Sequence, residues 1–354
     1  MNRIVAALPG LALAAAIAAV ATLVGAFVPL VGSAVPAIVI GVAVRLAARP
    51  GASFGAGISF AGRRVLQGAV VILGLQLSIG EAARVGLESL PVMLGTLAIC
   101  LVAAWLLGRW LGVVGDLRTL IGVGTGICGA SAISAVAPII GAASADIAYA
   151  VSTIFLFNIA AVIVFPLVGH LLGMSQHAFG LFAGTAVNDT SSVVAAATTY
   201  GQDAANYAVV VKLVRTLMII PVSVGLAAWV DRARLRTSAP PTGPSSPTLA
   251  SSGVAPAPPR RLTWLGVLRL VPWFLVGFAV AALVNSTGVI PTMWHPGIVA
   301  VSQFLIATAL AAIGLSTDIG ALRRAGVKPL LLGGVLWLVV SLSSLGLQWA
   351  TTGL

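Results

Sequence analysis

Long apolar runs separated by short polar joints recur along the whole chain, near 7–27, 31–47, 60–79, 88–108, 117–141, 146–170, 177–200, 206–229, 265–285, 297–316 and 328–349. Each is close to the roughly 20 residues that a helix needs to cross a hydrocarbon core. The runs are too long and too uniform for barrel strands. Lipid offers no partner to a backbone N–H or C=O, so each run must satisfy its own, which a helix does. The pattern predicts an all-α polytopic membrane protein with about eleven transmembrane helices. The first run follows Arg3 as a signal peptide's would, but it is longer than such a segment's apolar stretch and is taken as a span.

Composition agrees: 59% of residues are hydrophobic, only 8% are charged, and mean hydropathy is +1.11. That excludes a soluble globule and a disordered chain. The net charge of +11 suggests nucleic acid until it is placed on the chain. With the N-terminus in the cytoplasm, all of the 19 lysines and arginines except Arg84, Lys212 and Arg215 fall on the cytoplasmic side. This is the positive-inside bias of a multi-pass membrane protein, and the expected partner is the lipid bilayer rather than nucleic acid. Cys100 and Cys128 lie inside apolar runs, without metal-ligand or disulfide spacing. Residues 236–262 are rich in Pro, Ser and Ala and read as a flexible cytoplasmic linker within a single membrane domain, 1–354.

Two internal similarities stand out. At an offset of 240, Gly74, Leu75, Ile79, Gly80, Arg84, Gly86 and Leu90 recur as Gly314, Leu315, Ile319, Gly320, Arg324, Gly326 and Leu330. By the span count one copy sits at an outer junction and the other at an inner one, the signature of inverted repeats. At an offset of 60, Gly124, Thr125, Ser131, Ala135, Ala137 and Gly141 recur as Gly184, Thr185, Ser191, Ala195, Ala197 and Gly201.

The second similarity falls on the two runs least suited to a continuous helix. The fifth contains Gly122, Gly124, Gly126, Gly129 and Pro138. Each Gly costs a helix about 1 kcal/mol relative to Ala, so a break is expected near Thr125–Gly129, leaving Cys128 in it and Ser131 at the restart. The seventh carries Asn188, Asp189, Thr190, Ser191 and Ser192 in succession. An ionisable group at that depth is costly and points to function. The eighth contains Lys212 and Arg215 on one helix face. They are expected to pair with Asp189, to attract an anionic substrate, or both. Asn158 and Gln303 suit interhelical hydrogen bonds.

GTGICGASAISAVAPIIGA, FAGTAVNDTSSVVAAATTYG and VVVKLVRTLMIIP together resemble the YeiH-like family of bacterial inner-membrane proteins, described as sulfate exporters. The resemblance covers essentially the whole chain, although the 236–262 linker is long for it. It implies kinship with bile-acid sodium symporters and sodium/proton antiporters: inverted repeats, a panel domain, and a core domain with two discontinuous helices that cross at mid-membrane. One feature conflicts. The span count sets the fifth and seventh runs in the same sense, whereas inverted repeats require opposite senses. Either one repeat is permuted or the count is off by a span.

Two functions fit these residues. A secondary transporter of a small anion would use the exposed amides of the breaks with Lys212 and Arg215. A cation/proton antiporter would carry its ion on Asp189. An enzyme is not expected, because Cys128 has no nearby histidine and the three histidines lie near span ends. No cofactor is expected beyond a coupling H⁺ or Na⁺, and a homodimer is compatible with the sequence.

Overall fold

The computed structural model describes residues 3–27, 33–237, 272–316 and 327–352. Most of the linker, the start of the ninth run and the centre of the second 240-offset copy lie outside these residues. The described chain is helical, without strands. Its elements are α1 (Arg3–Phe27), α2 (Ala34–Ala48), α3 (Ala52–Phe60), α4 (Leu66–Gly74), α5 (Ile79–Leu111), α6 (Gly115–Gly126), α7 (Ala130–Ile140) and α8 (Ser144–Leu171). There follow α9 (Gln176–Ala186), α10 (Thr190–Tyr200), α11 (Gln202–Leu217), α12 (Ile219–Thr237), α13 (Trp273–Ser286), α14 (His295–Ser316) and α15 (Val327–Thr352). A π-helical turn, Ala61–Val65, joins α3 to α4. Seven of the described helical segments are long and apolar enough to cross a membrane.

The helices pack as two bundles. The first is α1–α4 with α13 and α14; the second is α5–α12 with α15. Small residues allow the first to pack tightly. A methyl group on Gly41 would meet the Ala311 carbonyl oxygen at 2.5 Å, and one on Gly314 would meet that of Ile38 at 2.5 Å, so α2 and α14 cross almost backbone to backbone. The bundles meet where α10 lies against α2 and α14, burying Val194 and Ala195. An amide chain adds to that contact: Gln303 Nε2 donates to Gln202 Oε1 (2.8 Å), and Gln202 Nε2 donates to Gln76 Oε1 (3.0 Å).

Both expected breaks are present, at Ile127–Gly129 and Val187–Asp189. The path through them differs from the expectation. Tyr200, at the end of α10, donates through its hydroxyl to the Met174 carbonyl just before α9, and its ring stacks on Phe179 at 3.9 Å. Gln176 Oε1 accepts from the backbone N–H of Asp203, beyond α10. Helices α9 and α10 therefore form a hairpin whose two ends lie together.

The same holds for α6 and α7. Side-chain positions set α5 against α6 in opposite senses: a methyl on Gly108 would touch Arg118, one on Gly122 would touch Ala104, and one on Gly126 would touch Leu97. Helix α15 runs against α5 from Lys328, beside Gly112, to Leu347, beside Gly95. Helix α8 follows α15, with Thr153 and Phe157 beside Gly333 and Gly334, then Phe165 stacked on Trp337. So α8 begins at the end where α6 began, and α7, which leads into α8, returns there. The 117–141 and 177–200 runs are re-entrant hairpins rather than through-going spans, and they enter from opposite ends of the bundle. This resolves the conflict in the span count. The fifth and seventh runs do not share a sense, because neither passes through.

Candidate functional site

The two hairpin tips meet inside the second bundle, and α11 reaches both. A helix that stops leaves its last carbonyls without N–H partners and carries about half a negative charge at that end. Two such ends, those of α6 and α9, face the same side of α11. Lys212 Nζ donates to the carbonyls of Ile127 (2.9 Å) and Val187 (2.7 Å). Arg215 Nε donates to Gly126 O (2.8 Å) and Nη2 to Thr125 O (3.3 Å), while Nη1 donates to Thr185 O. The partners are paired at the offset read from the sequence: Ile127 with Val187, Thr125 with Thr185. Both cations are fully buried, at 0% exposure.

The expected pairing of Asp189 with these cations is not formed. Among the described residues the single ion pair within 4.0 Å is Arg84–Glu88. Asp189 instead caps α10: its carboxylate accepts from the Ser191 N–H (3.1 Å) and from the Ser191 hydroxyl. The physical reason is local. An N-cap carboxylate is satisfied by the amides and half-positive end of its own helix, and the nearby helix C-ends compete for the cations. Asn158 of α8 holds the tip, its Oδ1 accepting from the N–H groups of Asn188 (3.2 Å) and Asp189 (3.3 Å). Gln303 thus makes the interhelical bond expected of it, whereas Asn158 bonds the tip between α9 and α10 rather than a helix. Asn188 is buried, and its Oδ1 has no partner among the described residues.

The tips touch: a methyl on Gly129 would lie 3.7 Å from Asp189 Cβ. Gly129 has φ +66° and ψ −130°, a conformation only glycine adopts readily. It occupies in the first hairpin the position of Asp189 in the second, so α7 starts without a side-chain cap. Cys128 is buried within this tip. Ser131 is exposed on the first turn of α7, whereas its counterpart Ser191 is buried. Asp189, Thr190 and Ser192 are half-buried around the start of α10. The structure therefore gathers Thr125, Gly126, Cys128, Gly129, Ser131, Asn188–Ser192, Lys212 and Arg215 at one locus. Sequence reasoning did not single out Ile127 and Val187, which act through backbone carbonyls and carry no side-chain signal. It also missed the bond between Thr185 Oγ1 and Ser344 Oγ (2.6 Å), which ties the second tip to α15.

A protein-family model described as "Conserved hypothetical protein 698" matches residues 9–333, spanning both bundles and both hairpins. The chain belongs to this family. It is the YeiH-like family that the motifs resemble, and relatives in it carry the name UPF0324 membrane protein. One from Streptococcus agalactiae serotype V is 38% identical over 351 residues, covering 96% of each chain. A second, from Streptococcus pneumoniae serotype 4, is 38% identical over 301 residues, covering 83% of this chain and 82% of its own. UPF0324 membership and the apolar helices make this a multi-pass membrane protein.

Proposed function

We propose that this UPF0324 protein is a secondary transporter that moves a small oxyanion, of the sulfate, sulfite or organic-acid class, by alternating access around the two hairpin tips. The observation that carries the reading is the difference between the two α-helix starts at the tips. Asp189 neutralises the first turn of α10, and glycine replaces it at α7, where about half a positive charge meets no N-cap side chain and only the Cys128 sulfur lies against the Ala132 N–H. Counting the buried cations, the helix ends and Asp189, the tip region holds a surplus of about one positive charge. Lys212 and Arg215 act through this surplus, two of the three Lys212 donors and three of the five Arg215 donors being engaged by carbonyls. In this reading the hairpins are the inverted elements of two repeats. Placed in a membrane, the fold has two re-entrant segments among its crossings, with its N-terminus and its Arg109, Arg118 and Lys328 end in the cytoplasm of a bacterial cell.

The bundles also support alternating access. Val194 and Ala195 of α10 are buried against α2 and α14. Their counterparts on α7, Ser134 and Ala135, are exposed and half-exposed, and α7 packs on α6, α8 and α12 instead. This arrangement is the inward-open state, with the Gln76–Gln202–Gln303 chain closing the outer end. Ser134→Cys should react with an impermeant thiol reagent from the cytoplasmic face at least tenfold faster than Val194→Cys. Equal rates would remove this assignment.

The test of the function is thermal unfolding of the purified protein against a panel of oxyanions, with chloride at matched ionic strength, followed by flux in vesicles. A specific oxyanion should raise the midpoint, and Ser131→Asp, which places a carboxylate at an exposed position in the first turn of α7, should abolish that rise. If no oxyanion acts, the reading fails. The unpartnered Asn188 Oδ1 beside Asp189 favours a second reading, cation/proton antiport on Asp189. Asp189→Asn separates the two, since it leaves an oxyanion response intact in the first and abolishes transport in the second.

A further inference from the structure

The carbonyls that end a broken helix at mid-membrane are the usual ligands of a transporter's Na⁺, because they are unpaired, partly negative and fixed in position. Here such carbonyls come from two helix ends and converge on one face of α11. They meet an ammonium and a guanidinium rather than open space. Lys212 Nζ bridges Ile127 O and Val187 O, one from each tip, at 2.9 and 2.7 Å. Arg215 bridges Thr125 O and Thr185 O in the same manner and adds Gly126 O at 2.8 Å. Both side chains are fully buried, and among the described residues no carboxylate lies within 4.0 Å of either. Their counter-charge is the pair of helix C-ends.

A bridging cation between two tips has the place and partners of a bound metal ion, with one difference: it is covalently attached and cannot leave. We propose that Lys212 and Arg215 are tethered substitutes for a dissociable monovalent cation, so that the tips carry a latent Na⁺-class site, and transport does not use Na⁺ as its coupling ion. Lys212 is the specificity-determining residue. Its ammonium is a compact point charge joining one carbonyl from each hairpin, which is also what a Na⁺ ion would do. Arg215 spans a wider set of carbonyls and holds the tips in register. The coupling statement rests on the transporter reading; the latent site does not.

The experiment is thermal unfolding of the purified full-length protein in detergent, in NaCl, KCl and choline chloride at equal ionic strength. The unmodified protein should show the same midpoint in all three. Lys212→Ala should be less stable in choline and should gain a saturable rise of about 2 °C or more with Na⁺, the signature of an ion that binds only the folded state. Lys212→Arg, which keeps a tethered cation, should gain none. If Lys212→Ala does not accumulate as folded protein, Lys212→Gln serves, its amide still donating to one carbonyl. A saturable Na⁺-specific rise in the unmodified protein would overturn the proposal, as would a folded Lys212→Ala or Lys212→Gln indifferent to Na⁺. Because no substrate is used, the result is independent of whether the oxyanion reading holds.

Discussion

Arg215→Ala is expected to destabilise the protein by about 3 kcal/mol or more, one of the largest costs of any single substitution in the second bundle. The guanidinium donates to Thr125 O, Gly126 O and Thr185 O in a site with no exposure. Removing it strands three buried carbonyls, and each hydrogen bond to a charged donor is worth about 1.5–3 kcal/mol. Arg215→Lys should recover only part of the loss, because one ammonium cannot reproduce a planar fork reaching both tips. The same geometry decides a second substitution. Asp189→Asn combined with Lys212→Met would restore stability if the two were a buried ion pair. Asp189 caps α10 and Lys212 binds carbonyls, so the double variant should be no more stable than Lys212→Met alone. Unfolding midpoints and the folded fraction on gel filtration read both outcomes. Rescue by Asp189→Asn would show a pair that the structure does not contain.

The largest qualitative effect concerns sidedness. If α6–α7 and α9–α10 are re-entrant, a cysteine at Ala143 labels from the same face as one at Val114, and a cysteine at Leu172 labels from the opposite face. Through-going spans require Ala143 and Val114 to lie on opposite faces. All three positions are exposed, and the native Cys100 and Cys128 are buried, so background labelling should be low. The readout is impermeant maleimide labelling in sealed vesicles, before and after permeabilisation. Labelling of Ala143→Cys and Val114→Cys from different faces would restore the fifth run as a crossing and undo the hairpin topology. The positive-inside count cannot decide this. Replacing two spans by two hairpins leaves every lysine and arginine on the face already assigned to it, and reverses only α8, whose ends carry none.

The amino-acid sequence by itself determined the class of the protein, the placing of nearly every helix and the position of both breaks. These follow from short-range physics. Apolar run length sets what must be buried in lipid, and the glycine cluster at 122–129 and the polar run 188–192 are each intolerable to a continuous apolar helix within a few residues. The 60-residue similarity was also legible, down to Thr125 with Thr185. Only the tertiary structure decided the direction of the chain after each break. A tip can lead onward or back with the same local sequence, and the choice is made by contacts between residues distant in sequence, such as Tyr200 on Phe179 and Lys328 beside Gly112. The partners of Lys212 and Arg215 were hidden for a related reason. The sequence shows a carboxylate as the obvious counter-charge, but the groups that claim these cations are backbone carbonyls, present at every residue and set free only where a helix ends.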